Sequence, residues 1–279
     1  MTLFNIDLNQ CPRNAIRAAV AVFLLAHAWV QPLLAEGASG SDLHSFRWKL
    51  RGSAWFALVA GDFETNTRLG NKTKVNANDD LEYTQPYISA QFEGALRHGR
   101  HDFWVVTTIF NEKEQGQFNR DFEFDDVIFP LSVPFETKLE LVDVNFRYGY
   151  SVRTIEEDGY RIGPYVGLSY TEFTFSGQVT KRPIKGEYED TFPVPTFGAY
   201  GEIPYGKTLL SANLGGIWFE SGDFEGLGFR GQLSATYRFR ENLGLYGGLY
   251  AMYVDLDFKD EKLDDLILWG PNIGLELRF

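Results

Sequence analysis

Ile267-Leu268-Trp269-Gly270-Pro271-Asn272-Ile273-Gly274-Leu275-Glu276-Leu277-Arg278-Phe279 is the stretch that decides the fold. In a β-strand, successive side chains point to opposite faces. One face of this strand would carry Ile267, Trp269, Ile273, Leu275, Leu277 and Phe279, and the other Gly270, Asn272, Gly274, Glu276 and Arg278. The strand therefore needs an apolar environment on one side and a polar one on the other. The apolar face must be buried either by another part of the chain or by lipid.

Residues 1–35 have the pattern of a secretory signal peptide. Arg13 and Arg17 supply the positive end, the apolar run extends from Ala18 to Ala35, and small residues offer cleavage after Ala28, Ala35 or Ala38. We therefore expect export through the Sec pathway and a mature chain that begins with a short periplasmic segment, residues 36–46. The only cysteine, Cys11, lies in the leader, so the mature chain has no thiol for a disulfide or for catalysis.

The composition excludes several classes of protein. The chain has 26 Lys and Arg against 38 Asp and Glu, and this negative balance argues against nucleic acid as a partner. It also has 28 glycines and 16% aromatic residues with a negative mean hydropathy of −0.22. These values suit many strands that each have one polar face, and they do not suit a bundle of membrane helices.

Ten segments alternate with a period of two residues. They are 47–62, 81–97, 101–113, 137–154, 160–175, 191–204, 208–220, 228–240, 243–258 and 266–279. Short turns at 97–100, 156–159, 205–207 and 241–242 alternate with longer polar connections at 63–80, 114–136, 176–190, 221–227 and 259–265. This alternation predicts an all-β, antiparallel, up-and-down transmembrane barrel over residues 47–279. It would have about ten strands (eight or twelve being the alternatives), short periplasmic turns and long extracellular loops.

The alternation alone does not say which face is inside, because a soluble barrel around an apolar ligand gives the same pattern. Aromatic residues favour the membrane, since they occupy the apolar face near strand ends, where girdles at the two membrane interfaces form. The predicted girdle consists of Trp48, Tyr148, Tyr150, Tyr160, Tyr170, Tyr237 and Trp269. Segments 101–113 and 243–258 are apolar or rich in glycine on both faces, and their orientation stays open.

With this leader, rhythm and closing strand, the chain resembles the small outer-membrane β-barrels of Gram-negative bacteria, the OmpA and OmpW type in the broad sense. The resemblance covers nearly all of the mature chain and points to no subfamily. It implies a location in the outer membrane, contact with outer-membrane lipid, and recognition of the last strand by the barrel-assembly machinery. The counterpart of that assembly signal here would be Ile273, Leu275, Leu277 and Phe279.

If the apolar face meets lipid, the lumen receives the charged residues. The predicted lumenal network is Lys49, Arg51, Glu93, Asp143, Arg147, Arg153, Arg161, Glu202, Arg230, Arg238, Glu276 and Arg278. A barrel of about eight strands is filled by its own side chains, and open aqueous channels belong to barrels of about sixteen. We therefore expect a largely filled lumen in which these charges are paired, because an unpaired charge there costs several kcal/mol. A narrow pore that favours anions is the alternative.

No cofactor or metal site is predicted. The acidic stretch Asp121–Asp126 has alternate carboxylates but lacks the Gly and closing Glu of a calcium loop. Asp255, Asp257, Asp260, Glu261, Asp264 and Asp265 make the last loop acidic as well, and divalent cations bridging to lipid headgroups would relieve the repulsion. The mature histidines, His44, His98 and His101, lie before the barrel or beside a periplasmic turn, so neither a lipase pair nor the His of an omptin-like protease is available.

The sequence thus predicts a non-enzymatic outer-membrane barrel with a structural or surface-interaction role exerted through acidic external loops. A narrow passive channel for small solutes is one alternative, and a soluble lipocalin-like periplasmic carrier is another. Against the carrier, Gly52-Ser53-Ala54-Trp55 lacks the spacing of the lipocalin entry motif.

Overall fold

A computed structural model of the chain describes residues 47–66, 72–117, 122–124, 127–129, 133–179, 185–221, 224–257 and 261–279. The predicted signal peptide, residues 1–35, and the segment 36–46 lie outside the described residues, as do Asp121, Asp125, Asp126 and Asp260. Residues Arg47–Phe279 form one compact unit.

The described chain is almost entirely β-structure. Its strands are β1 (Arg47–Asn66), β2 (Lys72–Asn76), β3 (Tyr87–His98), β4 (His101–Gln117), β5 (Phe122–Phe124), β6 (Val127–Phe129), β7 (Pro134–Tyr150), β8 (Arg161–Val179), β9 (Lys185–Tyr205), β10 (Thr208–Ser221), β11 (Phe224–Arg238), β12 (Leu243–Asp257) and β13 (Glu261–Arg278). One turn of helix, α1 (Ile155–Asp158), connects β7 to β8. No helix in the described part of the chain has the length and apolar character needed to cross a membrane.

Ten of these strands close into an antiparallel barrel. Around the barrel the order is β1, β3, β4, β7, β8, β9, β10, β11, β12 and β13, and β13 pairs back onto β1. The closing register sets Leu50 against Leu277 and Trp55 against Asn272, and the backbone of Trp48 is hydrogen-bonded in both directions to that of Phe279. Each of these ten strands is paired on both sides, which is the condition for crossing lipid with strands. The predicted fold, a ten-stranded up-and-down barrel, is confirmed.

The strand boundaries differ from the prediction at the long-loop side. Most of 176–190, 221–227 and 259–265, predicted as loops, is strand, because β8 to β13 form long hairpins there. Conversely, residues 81–86 precede β3, so Pro86 does not lie within a strand. The segment 151–154 follows β7, and the turn predicted at 156–159 is α1.

The outward face of the barrel is apolar over a band. Large exposed hydrophobic side chains occur on every strand that closes the barrel except β1, and in β8 they run from Ile162 to Tyr170. That length matches the roughly 9–11 residues with which a tilted strand crosses the hydrocarbon layer. Exposed apolar surface this extensive and continuous is unsuited to water, and lipid satisfies it. The structure is therefore that of a transmembrane barrel of the outer-membrane type.

The polarity of the two faces inverts at the end where the long hairpins lie. Moving out along β8, the outward side chain after Tyr170 is Glu172, while the inward-facing ones become Phe173 and Phe175. The same change on the other strands places polar residues on the outward face where the apolar band ends: Asp62, Asn111, Glu140, Glu172, Glu225, Asp255 and Asp265. Beyond this row the barrel has an apolar inside and a polar outside, as a soluble protein has. We call that part of the barrel, with residues 77–86, the extracellular collar, because short turns mark the periplasmic side.

This inversion explains why the strand ends were misplaced. The predicted segments were recognised by an apolar outward face, which lipid requires only within the membrane. In the collar the outward face meets water, so the sequence pattern that identifies a lipid-facing strand stops before the strand does.

Candidate functional site: the barrel lumen

The periplasmic half of the lumen contains a buried network of charges, organised around three groups of carboxylates. Arg and carboxylate side chains reach into it from strands on all sides, because every second residue of each strand points inward. Buried charges are tolerated when they are paired and hydrogen-bonded.

Asp102 of β4 is the centre of the first group. Its two oxygens accept hydrogen bonds from Arg97 Nε at 2.6 Å and from Arg161 Nη1 at 2.7 Å. The hydroxyls of Tyr200 and Ser151 donate to Oδ2 at 2.6 and 3.0 Å. One acid thus accepts hydrogen bonds from two guanidinium groups and two hydroxyl groups, which links β3, β4, β8 and β9.

Asp143 of β7 is the centre of the second group. Arg230 of β11, on the opposite wall, donates to it at 2.8 Å, and Thr171 Oγ1 donates at 2.9 Å. Ser169 also donates to Asp143 and in turn accepts from Asn145 Nδ2 at 2.9 Å. The pair of Asp143 and Arg230 therefore spans the barrel between strands far apart in the sheet order.

Glu93 and Glu276 form the third group with Arg51 between them. Arg51 contacts Glu93 at 3.1 Å and Glu276 at 2.6 Å, and its guanidinium carbon lies 4.0 Å from the centre of the Tyr246 ring. Lys49 adds a contact to Glu93 at 2.5 Å, and Arg278 adds one to Glu276 at 2.6 Å.

Two lumenal arginines of the described chain, Arg147 and Arg238, have no carboxylate within 4 Å. Arg147 is only 9% exposed; its Nε donates to Asn145 Oδ1 at 2.5 Å, and its guanidinium carbon lies 5.2 Å from the centre of the Tyr165 ring. It borders a polar cavity of about 40 Å³, which is room for a few water molecules. Other residues on that cavity include Lys49, Glu93, Glu202, Ser211, Asn213 and Gln232.

The external half of the lumen is closed by apolar side chains. Residues 77–83, which follow β2, fold inward over the barrel mouth, and Leu81 is fully buried there. Hydrogen bonds from Asn78 Nδ2 to the carbonyl oxygens of Val59 and Tyr83, at 3.1 and 2.7 Å, hold the segment in place. Side chains from the barrel wall complete the core around it: Trp55, Ala57, Val59, Val75, Phe110, Phe135, Leu139, Leu141, Phe173, Phe175, Val179, Tyr250, Met252, Leu266 and Leu268. We call residues 77–83 the plug.

A pair of carboxylates lies beside the plug in the collar. Glu114 accepts hydrogen bonds from Tyr87 at 2.5 Å and from Gln85 at 2.9 Å. Glu112 lies two residues earlier on the same inward face of β4, and its side chain is partly buried. Burial and, secondarily, the nearby charge of Glu114 raise the pKa of Glu112 to about 7. Burial is also the main cause that raises the pKa of Tyr83 and of Tyr87 above the usual tyrosine range.

The structure brings most of the predicted lumenal residues together, with one exception. Arg153 was predicted to face the lumen, and this is wrong. It lies beyond the end of β7, is exposed, and pairs with Asp158 of α1 at 3.3 Å. The chain turns into α1 at this point, so the inward and outward alternation of β7 no longer applies to it.

The predicted girdle and assembly-signal residues lie on the outer surface. Tyr148, Tyr150, Tyr160, Tyr170, Tyr237 and Trp269 are exposed large side chains, and Trp48 is partly exposed on the same outward face of β1. Ile273, Leu275, Leu277 and Phe279 are exposed along the outer face of the closing strand and its end. Their role in assembly stays a prediction.

Sequence reasoning missed Asp102, Arg97 and a second set of aromatic residues inside the barrel. Trp104 packs edge-on against Tyr200 with ring centres 4.8 Å apart, and Trp55 packs in the same way against Tyr250 at 4.9 Å. Trp104 and Tyr250 lie on β4 and β12, the two segments that are apolar or rich in glycine on both faces, and their partners Tyr200 and Trp55 lie on β9 and β1. The sequence signal for an aromatic ring inside the barrel is the glycine at position 149, because a Cβ there would lie 2.7 Å from the Trp104 ring.

The acidic segments predicted to bind cations lie only partly within the described residues. No group of three or more potential metal-ligating side chains occurs among the described residues. The side chains of Asp121–Asp126 lie outside the described residues. In the last hairpin, Asp255 and Asp265 lie at the outer boundary of the band, and Tyr253 donates a hydrogen bond to Asp265 at 2.7 Å.

Comparison with known proteins finds similar barrels. No protein-family model matches the chain, and no curated protein sequence matches it. Among solved structures, the chain is similar to the outer membrane protease OmpT from Escherichia coli, with a TM-score of 0.48 and 12% identity over 86% of this chain and all of that one. It is also similar to Neisserial surface protein A, with a TM-score of 0.33 and 12% identity over 83% and 97% of the two chains. A third match is the attachment invasion locus protein Ail of Yersinia pestis, with a TM-score of 0.32 and 11% identity over 83% and 99%. These TM-scores and identities are too low to support an inference about activity.

Proposed function

We propose that this protein is a non-conducting outer-membrane barrel that strengthens the envelope and makes contacts outside the cell through an acidic collar. The observation that carries this proposal is the closed lumen. Its external half is packed with apolar side chains around the plug, and its periplasmic half is occupied by the charge network. A path for solutes would have to displace both.

The collar supplies the surface for contacts. Among the residues that the structure describes there, five carboxylates are exposed: Asp79, Glu82, Glu189, Glu225 and Asp265. The exposed lysines of the described collar are Lys74 and Lys113. Lys74 forms an ion pair with Asp62 at 3.0 Å, and Lys113 forms one with Glu136 at 3.6 Å. The collar therefore has a surplus of negative charge, which favours cationic partners and divalent cations over anionic ones.

Conductance tests the first half of the proposal. The purified protein, refolded so that its gel mobility changes on heating, is inserted into planar bilayers, and a porin reconstituted in parallel shows that the bilayers report open pores. A filled barrel gives no resolved current steps. The alternative is a narrow passive channel, and the surplus of basic residues in the periplasmic half of the lumen is the observation that favours it. Regular current steps from the wild-type protein would establish this alternative.

Adhesion tests the second half. Cells that lack the protein are complemented with the wild type, with a variant in which the five exposed collar carboxylates become amides, or with the control Glu156→Gln, Glu157→Gln at the periplasmic rim. Binding of cells to polylysine-coated beads is expected to fall several-fold with the collar variant alone. Equal binding by all three strains would remove the acidic collar from the account. Sensitivity of the deletion strain to detergent measures the contribution to envelope strength.

The soluble-carrier alternative has less support, because it requires the apolar face to be inside. Here the exposed apolar residues form the outer band, and the charges lie within. The described residues contain no pairing of a nucleophile with a base that would support enzymatic activity. That the protein is not an enzyme stays a prediction. A carrier would remain dispersed in buffer without detergent, whereas the barrel is expected in the membrane pellet.

A further inference from the structure

The charges in the periplasmic half of the lumen do not balance. Eight basic residues of the described chain lie there: Lys49, Arg51, Arg97, Arg147, Arg161, Arg230, Arg238 and Arg278. Five acidic residues face them: Glu93, Asp102, Asp143, Glu202 and Glu276. These eight bases and five acids leave a net surplus of three positive charges, and every one of the acids already contacts at least one base.

Arg147 is the place where this surplus is least hydrated. Arg238 is partly exposed near the periplasmic rim, whereas Arg147 is only 9% exposed. A lysine or histidine in this position would respond to burial by losing its proton. A guanidinium group in a protein keeps its charge, so the compensation has to come from outside the side chain.

The wall of the cavity beside Arg147 carries hydrogen-bond donors, and both of its carboxylates already have basic partners. Of the two acids on its wall, Glu93 is engaged by Lys49 and Arg51, and Glu202 is engaged by Arg97 at 2.9 Å. Ser211, on the same wall, has a buried hydroxyl oxygen without a hydrogen-bond partner. A water molecule would satisfy Ser211 but would leave the charge of Arg147 unmatched.

We propose that this cavity binds a small monovalent inorganic anion of the size of chloride between Arg147 and the hydroxyl of Ser211. A chloride ion is only slightly larger than a water molecule, so a cavity of about 40 Å³ has room for it. Inside the lumen, where the surroundings are less polar than bulk water, the ion interacts with the guanidinium group more strongly than it would in bulk water. The site does not depend on the structural role proposed above, because a filled, non-conducting barrel holds an ion as well as a conducting one does.

Line broadening of the chlorine-35 NMR signal tests the site. The refolded protein, in a zwitterionic detergent and sodium gluconate, is titrated with sodium chloride, and protein-bound chloride broadens the bulk resonance in a saturable manner. The wild type is expected to broaden the line, Arg147→Met to abolish the saturable part, and Ser211→Ala to reduce it several-fold. The matched control is Arg153→Met, an arginine of the exposed rim, which is expected to behave as the wild type. Heat-modifiable mobility shows that each variant is folded.

The wild-type protein keeps the test decisive even if Arg147→Met does not fold. A crystal of the wild type grown in bromide is expected to show an anomalous peak within hydrogen-bond distance of Arg147. Absence of saturable broadening by the wild type, equal broadening by folded Arg147→Met, or bromide peaks at exposed sites only would each overturn the proposal. Conductance of the same samples reports on pore formation separately, so failure here leaves the structural role unaffected.

Discussion

At the scale of single residues, Asp102 shows how much one inward side chain contributes. It accepts hydrogen bonds from Arg97, Arg161, Tyr200 and Ser151. In Asp102→Asn the two arginines lose their shared negative charge while staying buried. Removal of one partner of a buried ion pair costs about 3–5 kcal/mol, and we expect a loss of that size in the free energy of unfolding, measured by urea titration in lipid vesicles.

Asp158→Asn is the control for that substitution. Asp158 forms an exposed ion pair with Arg153, and exposed pairs contribute about 0–1 kcal/mol. If Asp102→Asn destabilised the barrel no more than Asp158→Asn does, the lumenal network would not be a source of stability.

Glu112 predicts how the collar responds to pH. Its pKa of about 7 in the folded protein lies above the ordinary value of 4.5, because burial and Glu114 disfavour the charged form. The folded state therefore holds this proton more tightly than the unfolded state does, so stability falls as pH rises from about 4.5 through about 7 and then levels off. Since Glu112 is only partly buried, solvent screening limits the effect to about 1 kcal/mol.

Urea unfolding at pH 5 and pH 8 measures this effect, with Glu112→Gln as the reference. The amide does not titrate, so the wild type is expected to lose more stability than Glu112→Gln between these pH values. Glu140→Gln, on the outward face of the collar, serves as the control and is expected to keep the wild-type slope. Parallel slopes for the wild type and Glu112→Gln would contradict the assignment.

At the scale of elements, the plug is the segment whose packing closes the barrel mouth. Leu81 is fully buried within the apolar core of the collar, and truncating such a residue costs about 2–5 kcal/mol. Leu81→Ala is therefore expected to lower the free energy of unfolding by that amount and to speed hydrogen exchange in residues 77–86 before the rest of the barrel. Thr84→Ala, an exposed neighbour, should change stability by no more than about 0.5 kcal/mol. Equal effects would show that the plug is not packed.

The closing strand separates stability from assembly. Phe279 contributes backbone hydrogen bonds to Trp48, at 3.1 and 3.0 Å, and its ring is exposed on the outer surface. Phe279→Ala keeps the backbone contacts, so refolding in vitro and stability are expected to stay within about 0.5 kcal/mol of the wild type. If the terminal aromatic strand is the assembly signal, the folded amount in cells falls several-fold. Unchanged amounts in cells would remove that role from Phe279.

The elements that could be predicted are those in which lipid dictates the pattern. Strands β8, β11 and β13 separate an apolar outward face from a polar inward one, and each was oriented from its sequence. In β4, Trp104 and Val106 face the lumen while Phe103 and Val105 face outward, so the two faces look alike. The plug was hidden for a related reason: Leu81-Glu82-Tyr83 alternates like the start of β3, and only the positive φ of Glu82, 63°, shows that the chain turns there.

The pairing of charges could not be read from the sequence at all. Arg147 and Arg230 both occupy inward positions of clean strands, yet Arg230 reaches Asp143 at 2.8 Å, whereas Arg147 has no carboxylate within 4 Å in the described lumen. The difference depends on which strands lie opposite each other across the barrel and on their height, and that is set by the closing register and the tilt of the strands.

At the scale of the whole molecule, the position of the membrane follows from the polarity of the outer surface. Leu214, in the middle of the outward face of β10, is 69% exposed, and Leu233 of β11 is 62% exposed. An arginine on the lipid face of a barrel costs about 2–4 kcal/mol at the bilayer midplane and about 0–1 kcal/mol near the interfaces. Leu214→Arg and Leu233→Arg are each expected to lower the free energy of unfolding from lipid vesicles by about 2–4 kcal/mol.

Glu225→Arg gives the matched comparison, because Glu225 lies on the outward face of β11 beyond the apolar band and meets water. We expect it to change the folding free energy by no more than about 1 kcal/mol. A soluble barrel would behave in the opposite way, since arginine in place of an exposed leucine would then meet water and leave stability nearly unchanged. A profile of cost against height, high at Leu214 and Leu233 and low at Glu225, therefore requires a lipid-facing band. A flat profile would place that band in water.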